Sequence, residues 1–200
     1  MQSKSASIII LSGGTSARFG SDKSAALIDG QSLIARILTT IPPEFEVIVV
    51  GQDPLVAGFA YRVVQENPVG SGPVAGFKAG LELCESEIAV LIATDMPFAL
   101  PRVLNLLNTM TTHDDAVMYV DSENFKQPLA ALYRIAAVEI AFADMGEING
   151  ASMRSLISRL DVHEVPMSEE VAHALIDIDT PADLEQAIAF AHHLKDDSVL

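Results

Sequence analysis

The chain is short of cysteine and of positive charge, and it has no long apolar run. Each shortage excludes something. Cys84 is the only cysteine among 200 residues, so no intrachain disulfide and no cysteine-based zinc site can form. It follows Gly80-Leu81-Glu82-Leu83, a pattern that reads as the end of an amphipathic helix, and packing in or beside the core is its expected role. Twelve basic residues stand against 27 acidic ones, a formal charge of −15. Nucleic acid and anionic membrane surfaces both call for a basic field, so neither is an expected partner. No stretch approaches the roughly 18 consecutive apolar residues of a membrane span. The apolar segment at Ser7–Leu11 is far too short for the h-region of a secretory leader, which leaves the cytoplasm as the expected compartment.

Several motifs are missing as well. His113, His163, His173, His192 and His193 show no HExxH spacing, and no GxSxG occurs. GxxxxGK[ST] and GxGxxG are absent too. Zinc-protease, serine-hydrolase, P-loop and dinucleotide-fingerprint chemistry therefore have no support here.

What is present is half apolar, enough to fold residues 1–200 as one domain with a sizeable core. Short apolar runs alternate with helical patterns. Ser7–Leu11, Glu46–Gly51, Tyr61–Gln65, Ile88–Thr94 and Asp115–Val120 read as strands, several apolar at successive positions as strands buried on both faces are. Gln127–Tyr133 is expected to pair antiparallel with Ala116–Val120, while Val162–Pro166 and Ala174–Asp179 read as short strands. Helices are expected at Leu33–Thr40 under a Ser32 cap, Val74–Cys84, Arg102–Met110, Ile135–Phe142, Ser152–Leu160 and Pro181–His193. The last five residues, DDSVL, are expected to fray. This alternation predicts a three-layer α/β/α, Rossmann-like domain around a mostly parallel mixed sheet. Such sheets bind ligands outside the carboxyl ends of their strands.

The first of those ends is the most informative. Leu11–Ser24 reads LSGGTSARFGSDKS. Gly13 and Gly14 allow close backbone approach to a ligand, since no Cβ intervenes. Loop N–H groups can converge on phosphate oxygens. Arg18 adds a rigid fork of donors and Lys23 a compact point charge. A plain strand exit with surface charges is the competing reading. Asp95, in Thr94-Asp95-Met96-Pro97, emerges from the fourth apolar run, where a carboxylate facing a phosphate loop suits Mg²⁺. A turn residue ahead of Pro97 is the alternative. Gly70, Gly72 and Gly76 frame a turn into a helix whose N-terminus favours anions. Gly76 and Gly80 also suit close helix–sheet packing. Asp177 and Asp179 alternate, which puts both carboxylates on one face; one of them can join the metal site, or Asp179 or Thr180 can cap the last helix. Phe77 and Phe98 neighbour these segments and are expected to pack in the core. A strongly acidic protein that binds phosphates needs local positive charge, and a divalent metal is its obvious source.

With these residues in hand, the chain resembles the nucleotidyltransferases of glycosyltransferase-A-like fold, and within them the MobA-like group of molybdenum cofactor guanylyltransferases. The family opening L-x-G-G-x-S-x-R-[FM]-G-x-D-K-[SA] matches Leu11–Ser24 almost residue for residue. GPVAGFKAGL at Gly72–Leu81, TDMP at Thr94–Pro97, QPLAALYR at Gln127–Arg134 and DIDTPADL at Asp177–Leu184 are similar to its later landmarks.

The resemblance implies that GTP donates GMP to the terminal phosphate of molybdopterin, giving a guanine dinucleotide and pyrophosphate. Leu11, Ser12, Gly13 and Gly14 would line the guanine and ribose side, joined by Gly51, Asn67 and Gly72. Arg18 and Lys23 would steady the triphosphate, Asp95 would hold Mg²⁺, and Asp179 would meet the acceptor. GTP and molybdopterin are then the small-molecule partners, with molybdenum-enzyme maturation proteins as the implied protein contacts. Three positions depart from the family pattern. Asn67 stands where many relatives carry Asp, Gly51 where many carry Asn, and DIDTP replaces NxNTP and is closer to cytidylyltransferase relatives. The alternatives are a transferase using CTP, one using a sugar-phosphate or phospholactate acceptor, and a non-catalytic nucleotide-binding module.

Overall fold

Ile8, Ile9 and Ile10 are all fully buried, although consecutive side chains of a strand point to opposite faces. Strand β1 (Ala6–Ser12) must therefore be covered on both sides, and it is. The computed structural model describes residues 6–13 and 26–197, with side chains described as far as Leu194. After β1 comes a small hairpin, β2 (Leu27–Ile28) and β3 (Gln31–Ser32), and then helix α1 (Leu33–Thr39). Next are β4 (Glu46–Gly51), β5 (Arg62–Val64), α2 (Pro73–Leu81), β6 (Ile88–Ala93) and α3 (Leu100–Asn105), which continues as a 3₁₀ turn over Leu106–Asn108. The second half holds β7 (Ala116–Val120), β8 (Lys126–Arg134), α4 (Ile135–Met145), α5 (Met153–Ile157), β9 (Val162–Pro166), α6 (Glu169–Ala174) and α7 (Pro181–Asp197).

The main sheet runs β5-β4-β1-β6-β8-β7-β9. β1 is parallel to β4 and β6, and β4 to β5. β8 is antiparallel to both β6 and β7, and β9 returns parallel to β7. The sheet is thus mixed and mostly parallel, as expected. One face buries Ile8, Ile10, Val47, Val49, Val90 and Ile92 beneath α1, α3, α6 and α7. The other buries Ile9, Leu11, Ile48, Val50, Ala89 and Leu91 beneath α2, α4 and α5. Each of the valine, leucine and isoleucine side chains is worth about 1.5–3 kcal/mol when removed from water. Gly80 lets α2 come close: a Cβ there would lie 2.7 Å from Ile9 Cγ2.

Local signals set the helix starts. Ser32 Oγ accepts the Ala35 N–H at 3.3 Å, Ser152 caps α5 and Ser168 caps α6 in the same manner, and Pro73 sits at the first turn of α2. These bonds satisfy amides that have no partner inside the helix.

Two elements differ from expectation. Ala174–Asp179 is not a strand. Ser168, with Glu169 and Glu170 in the first turn, starts α6 and carries the chain helically through Ala174. The remainder forms no strand: the Ile178 amide bonds the Asp95 carbonyl at 3.0 Å, and the Asp179 amide turns back to the Asp177 carbonyl at 3.2 Å. Helix α2 ends at Leu81, so Cys84 lies in the turn beyond it, with Sγ 3.6 Å from the Gly80 carbonyl oxygen. At the C-terminus, Asp196 and Asp197 remain helical in α7, and residues 198–200 lie outside the described residues.

The strand order reverses at β1: β4 and β5 lie to one side of it and β6 to the other. The crevice beyond the carboxyl ends of β1 and β6 is therefore the topological switch point of the sheet, where ligands of open α/β sheets bind.

Candidate active site

The switch point is built from neighbouring strand ends in register. Leu11 lies opposite Val50 in β4 and Ala93 in β6, and Ser12 lies opposite Gly51. The Leu11 carbonyl accepts two bonds from Thr94, one from the amide at 3.0 Å and one from Oγ1 at 2.8 Å. Gly51 has φ +127°, and a Cβ there would stand 2.4 Å from the Ser12 carbonyl oxygen. Only glycine fits both the dihedral and the space. Gly51 therefore seats the exit of β4 directly against the exit of β1, and Gly13 follows exposed on the crevice side of that contact. Gly14, Arg18 and Lys23 lie outside the described residues.

Asp95 is the second residue past β6 and is half-buried. The turn that follows it is pinned by Met96 N–H to the Ala93 carbonyl and Ala99 N–H to the Met96 carbonyl, both at 3.1 Å. Its own backbone carbonyl accepts the Ile178 N–H at 3.0 Å. That bond brings in a distant segment, and carboxylate oxygens of Asp95, Asp177 and Asp179 all come within 4.8 Å of one another. Capping does not fall to Asp179. Thr180 Oγ1 accepts the Asp183 N–H at 3.3 Å, and Asp183 Oδ2 accepts the amides of Thr180 at 2.7 Å and Asp179 at 3.1 Å. This reciprocal cap fixes the start of α7 and the backbone on which the Asp179 carboxylate is mounted.

The third part is the loop between β5 and α2. Glu66 Oε1 accepts the Gly70 N–H at 2.9 Å, and Ser71 Oγ donates to the Pro68 carbonyl at 2.6 Å. Gly150 braces the loop from the other half of the chain, donating its N–H to the Ser71 carbonyl at 2.7 Å. The Glu66 carboxylate is thus engaged in shaping the turn, while its neighbour Asn67, joined to Pro68 by a cis peptide, is exposed. Gly72 is the N-cap of α2 and supplies no side-chain cap, so the first amides of that helix point outward.

Behind the Asp95 turn lies an aromatic and cationic support. Phe98 packs edge-on against Phe190 with centroids 5.1 Å apart, and the Arg36 guanidinium lies 5.1 Å from the Phe98 ring centroid. Arg36 also donates to Asp29 at 3.1 Å, and His192 of α7 stands 3.2 Å from the same aspartate. Phe77 is wholly buried against Tyr133, 4.9 Å between centroids. Both phenylalanines pack in the core, as expected from the sequence.

Leu11, Ser12, Gly13, Gly51 and Asp95 thus share one edge of the sheet, and Asn67 and Gly72 lie on the loop that leaves the same edge. Asp179 joins Asp95, and Asp177 comes with it. Thr94 and Ile178 escaped attention in the sequence. An apolar residue between two aspartates was the available signal for Ile178, whose side chain is fully buried.

The mostly parallel mixed sheet, with three carboxylates gathered beyond the end of β6, has the α/β nucleotidyltransferase fold. Solved structures of that fold superpose over nearly the whole chain. Molybdopterin-guanine dinucleotide biosynthesis protein A from Archaeoglobus fulgidus matches with TM-score 0.72 at 23% identity, covering 94% of this chain and 99% of that one. 2-C-methyl-D-erythritol 4-phosphate cytidylyltransferase from Thermus thermophilus matches with TM-score 0.67 at 16% identity, covering 94% and 99%. The model of the MobA-like NTP transferase domain matches residues 8–173, and the chain belongs to that family. A protein of Natronomonas pharaonis described as "Probable molybdenum cofactor guanylyltransferase" is 30% identical, across 90% of this chain and 95% of its own length. No helix among the described residues is long and apolar enough to cross a membrane.

Proposed function

We propose that this nucleotidyltransferase moves GMP from GTP to the terminal phosphate of molybdopterin. An acceptor phosphate oxygen forms a bond to the α-phosphorus, the bond from that phosphorus to the α–β bridging oxygen breaks, and pyrophosphate leaves with its electron pair. The attacking oxygen is already anionic, so the chain needs no general base. Its task is in-line positioning of the two phosphates and electrostatic stabilisation.

The observation that carries the reading is the convergence of Asp95, Asp177 and Asp179 beside the exit of β1. The donor set is all carboxylate, the ligand type Mg²⁺ prefers at about 2.1 Å. Oxygens within 4.8 Å of one another are close enough to share one such ion after small side-chain adjustments. When bound, Mg²⁺ would neutralise charge on the α-phosphate and the leaving pyrophosphate. The Ser12–Gly13 exit and Gly51 form the wall against which a nucleoside can lie, and the outward amides of α2 suit its polar edges. Arg18 and Lys23 contact the triphosphate. The name carried by the Natronomonas pharaonis relative supports the guanine and molybdopterin assignments.

CTP is the second donor worth testing. Aspartates occupy both positions of the Asp177–Asp179 segment, a pattern closer to cytidylyltransferases, and a cytidylyltransferase shares the fold. The deciding experiment presents each of the four nucleoside triphosphates, with and without Mg²⁺, and follows both the thermal shift of the protein and release of pyrophosphate with molybdopterin as acceptor. A ligand that binds only the folded state raises its apparent stability. GTP alone should shift the midpoint and yield the dinucleotide. Preference for CTP, or turnover indifferent to molybdopterin, would reject the proposal.

A further inference from the structure

We infer that Thr94 is a positioning residue, whose side chain sets the separation between the strand exit at Ser12–Gly13 and the carboxylate of Asp95. The inference rests on the nucleotidyl-transfer reading above. Its basis is a double bond count at one acceptor. The Leu11 carbonyl receives both the Thr94 amide, at 3.0 Å, and the Thr94 hydroxyl, at 2.8 Å. The first bond is the closing bond of the Leu11–Ala93 pair at the end of the β1–β6 ladder. The second belongs to no ladder, and only a side chain with a hydroxyl on Cβ can make it.

The placement gives the tether its meaning. Leu11 is one peptide before Ser12, and Thr94 is one peptide before Asp95. The two residues face each other across the switch point of the sheet, so the hydroxyl ties the nucleotide-facing wall to the carboxylate cluster at the closest place available. Thr94 is half-buried, and a hydrogen bond partly shielded from water is stronger than an exposed one. Its β-branched side chain has little rotameric freedom to lose. Thr94 acts through Leu11 and Asp95. In an in-line displacement, misplacement by about 1 Å can cost about 100-fold in rate. Loosening this tether should therefore act on turnover more than on substrate capture.

The test compares Thr94→Val, which keeps the shape and removes the hydroxyl, with Thr94→Ser, which keeps the hydroxyl. Steady-state kinetics and calorimetric GTP binding with and without Mg²⁺ are measured on the full chain. Thr94→Val should lower kcat by about tenfold or more while KM for GTP stays within about threefold, the pattern of an interaction made mainly in the transition state. The tightening of GTP binding by Mg²⁺ should shrink in the same variant, and Thr94→Ser should restore both. If Thr94→Val does not fold, Thr94→Ala takes its place under the same thresholds. Unchanged kcat, a change confined to KM, or Thr94→Ser behaving like the hydroxyl-free variant would overturn the inference. Asp95→Asn separates the two levels. A wild-type chain that transfers nucleotide and loses it in Asp95→Asn upholds the transfer reading whatever Thr94 does. A wild-type chain with no transfer from any triphosphate ends both.

Discussion

The amide of Ile178 donates to the backbone carbonyl of Asp95 at 3.0 Å. Two segments more than eighty positions apart in the chain are joined there by a single main-chain bond. Ile178 is fully buried in the core that also holds Met96 and Phe98, while its flanking aspartates are more exposed. Burial of the isoleucine fixes which way the segment faces, and the carboxylates on either side of it come within 4.8 Å of the Asp95 carboxylate. A hydrophobic anchor thus sets the geometry of a polar site.

Asp95→Asn keeps the size of the side chain and removes its charge. Mg²⁺-dependent transfer should fall by about 100-fold or more, since the variant loses electrostatic stabilisation of the kind that single-donor removals show to be worth that much. The thermal midpoint should change little. Asp179→Asn should have a smaller effect, partly recovered by raising Mg²⁺. Rate assays across a Mg²⁺ titration decide this, and normal turnover in Asp95→Asn would refute the metal assignment.

Lys23→Ala should weaken binding of GTP far more than binding of guanosine, because the role proposed for its ammonium is to hold the phosphates and guanosine has none. Calorimetry with both ligands provides the measurement. Equal losses would contradict the phosphate role.

Gly51→Ala places a methyl group 2.4 Å from the Ser12 carbonyl oxygen at a φ of +127°. Strain of this kind costs about 1–3 kcal/mol even before the clash is counted. For a chain of this size each kcal/mol lowers the midpoint by about 2–4 °C. We expect a clear drop in thermal stability, together with weaker nucleotide binding, because relief of the clash must push the β1 exit away from β4. Differential scanning calorimetry and nucleotide titration check the two effects separately.

Burial pushes the Cys84 thiol up from 9.0 to about 11, against a smaller lowering from its hydrogen bond with Ser7. The folded state therefore holds this proton more tightly than the unfolded state. The associated stability is complete below pH 9 and is lost as pH rises toward about 11. Urea midpoints followed from pH 8 to roughly pH 11 should fall more steeply for the wild type than for Cys84→Ala. At neutral pH the thiol should alkylate slowly, since the thiolate is the reactive form. Parallel pH slopes or rapid alkylation would contradict this reading.

The central strands were readable from sequence because burial on both faces leaves a continuous apolar run. Glu46–Gly51 forms over its whole expected length, and Ile88–Thr94 is one residue shorter. The antiparallel pairing of Ala116–Val120 with the QPLAALY segment was legible from the polar turn between them. The β2–β3 hairpin was not, since two-residue strands carry no period to detect. Helix α6 escaped because the alternation in ALIDID suggested a strand and drew attention from Ser168, whose hydroxyl accepts the Val171 amide at 3.3 Å. Of the residues gathered at the crevice, Asp95 and Asp179 were singled out by residue type and place, and Gly51 through the family resemblance. The Thr94–Leu11 tether and the Ile178–Asp95 bond were not, because each depends on register between segments that a single sequence does not reveal.

The reversal of direction at β8 has an architectural consequence. Four parallel strands carry Gly51 and Asp95, whereas β7, β8 and β9 form a flank of their own, from which the chain returns through α6 to place Asp177 and Asp179 beside Asp95. On the proposed reading, loops on that flank can be remodelled around a new recipient molecule while the crossing of the two halves at Asp95 keeps its shape. A scaffold divided in this way favours diversification of what is modified over diversification of how.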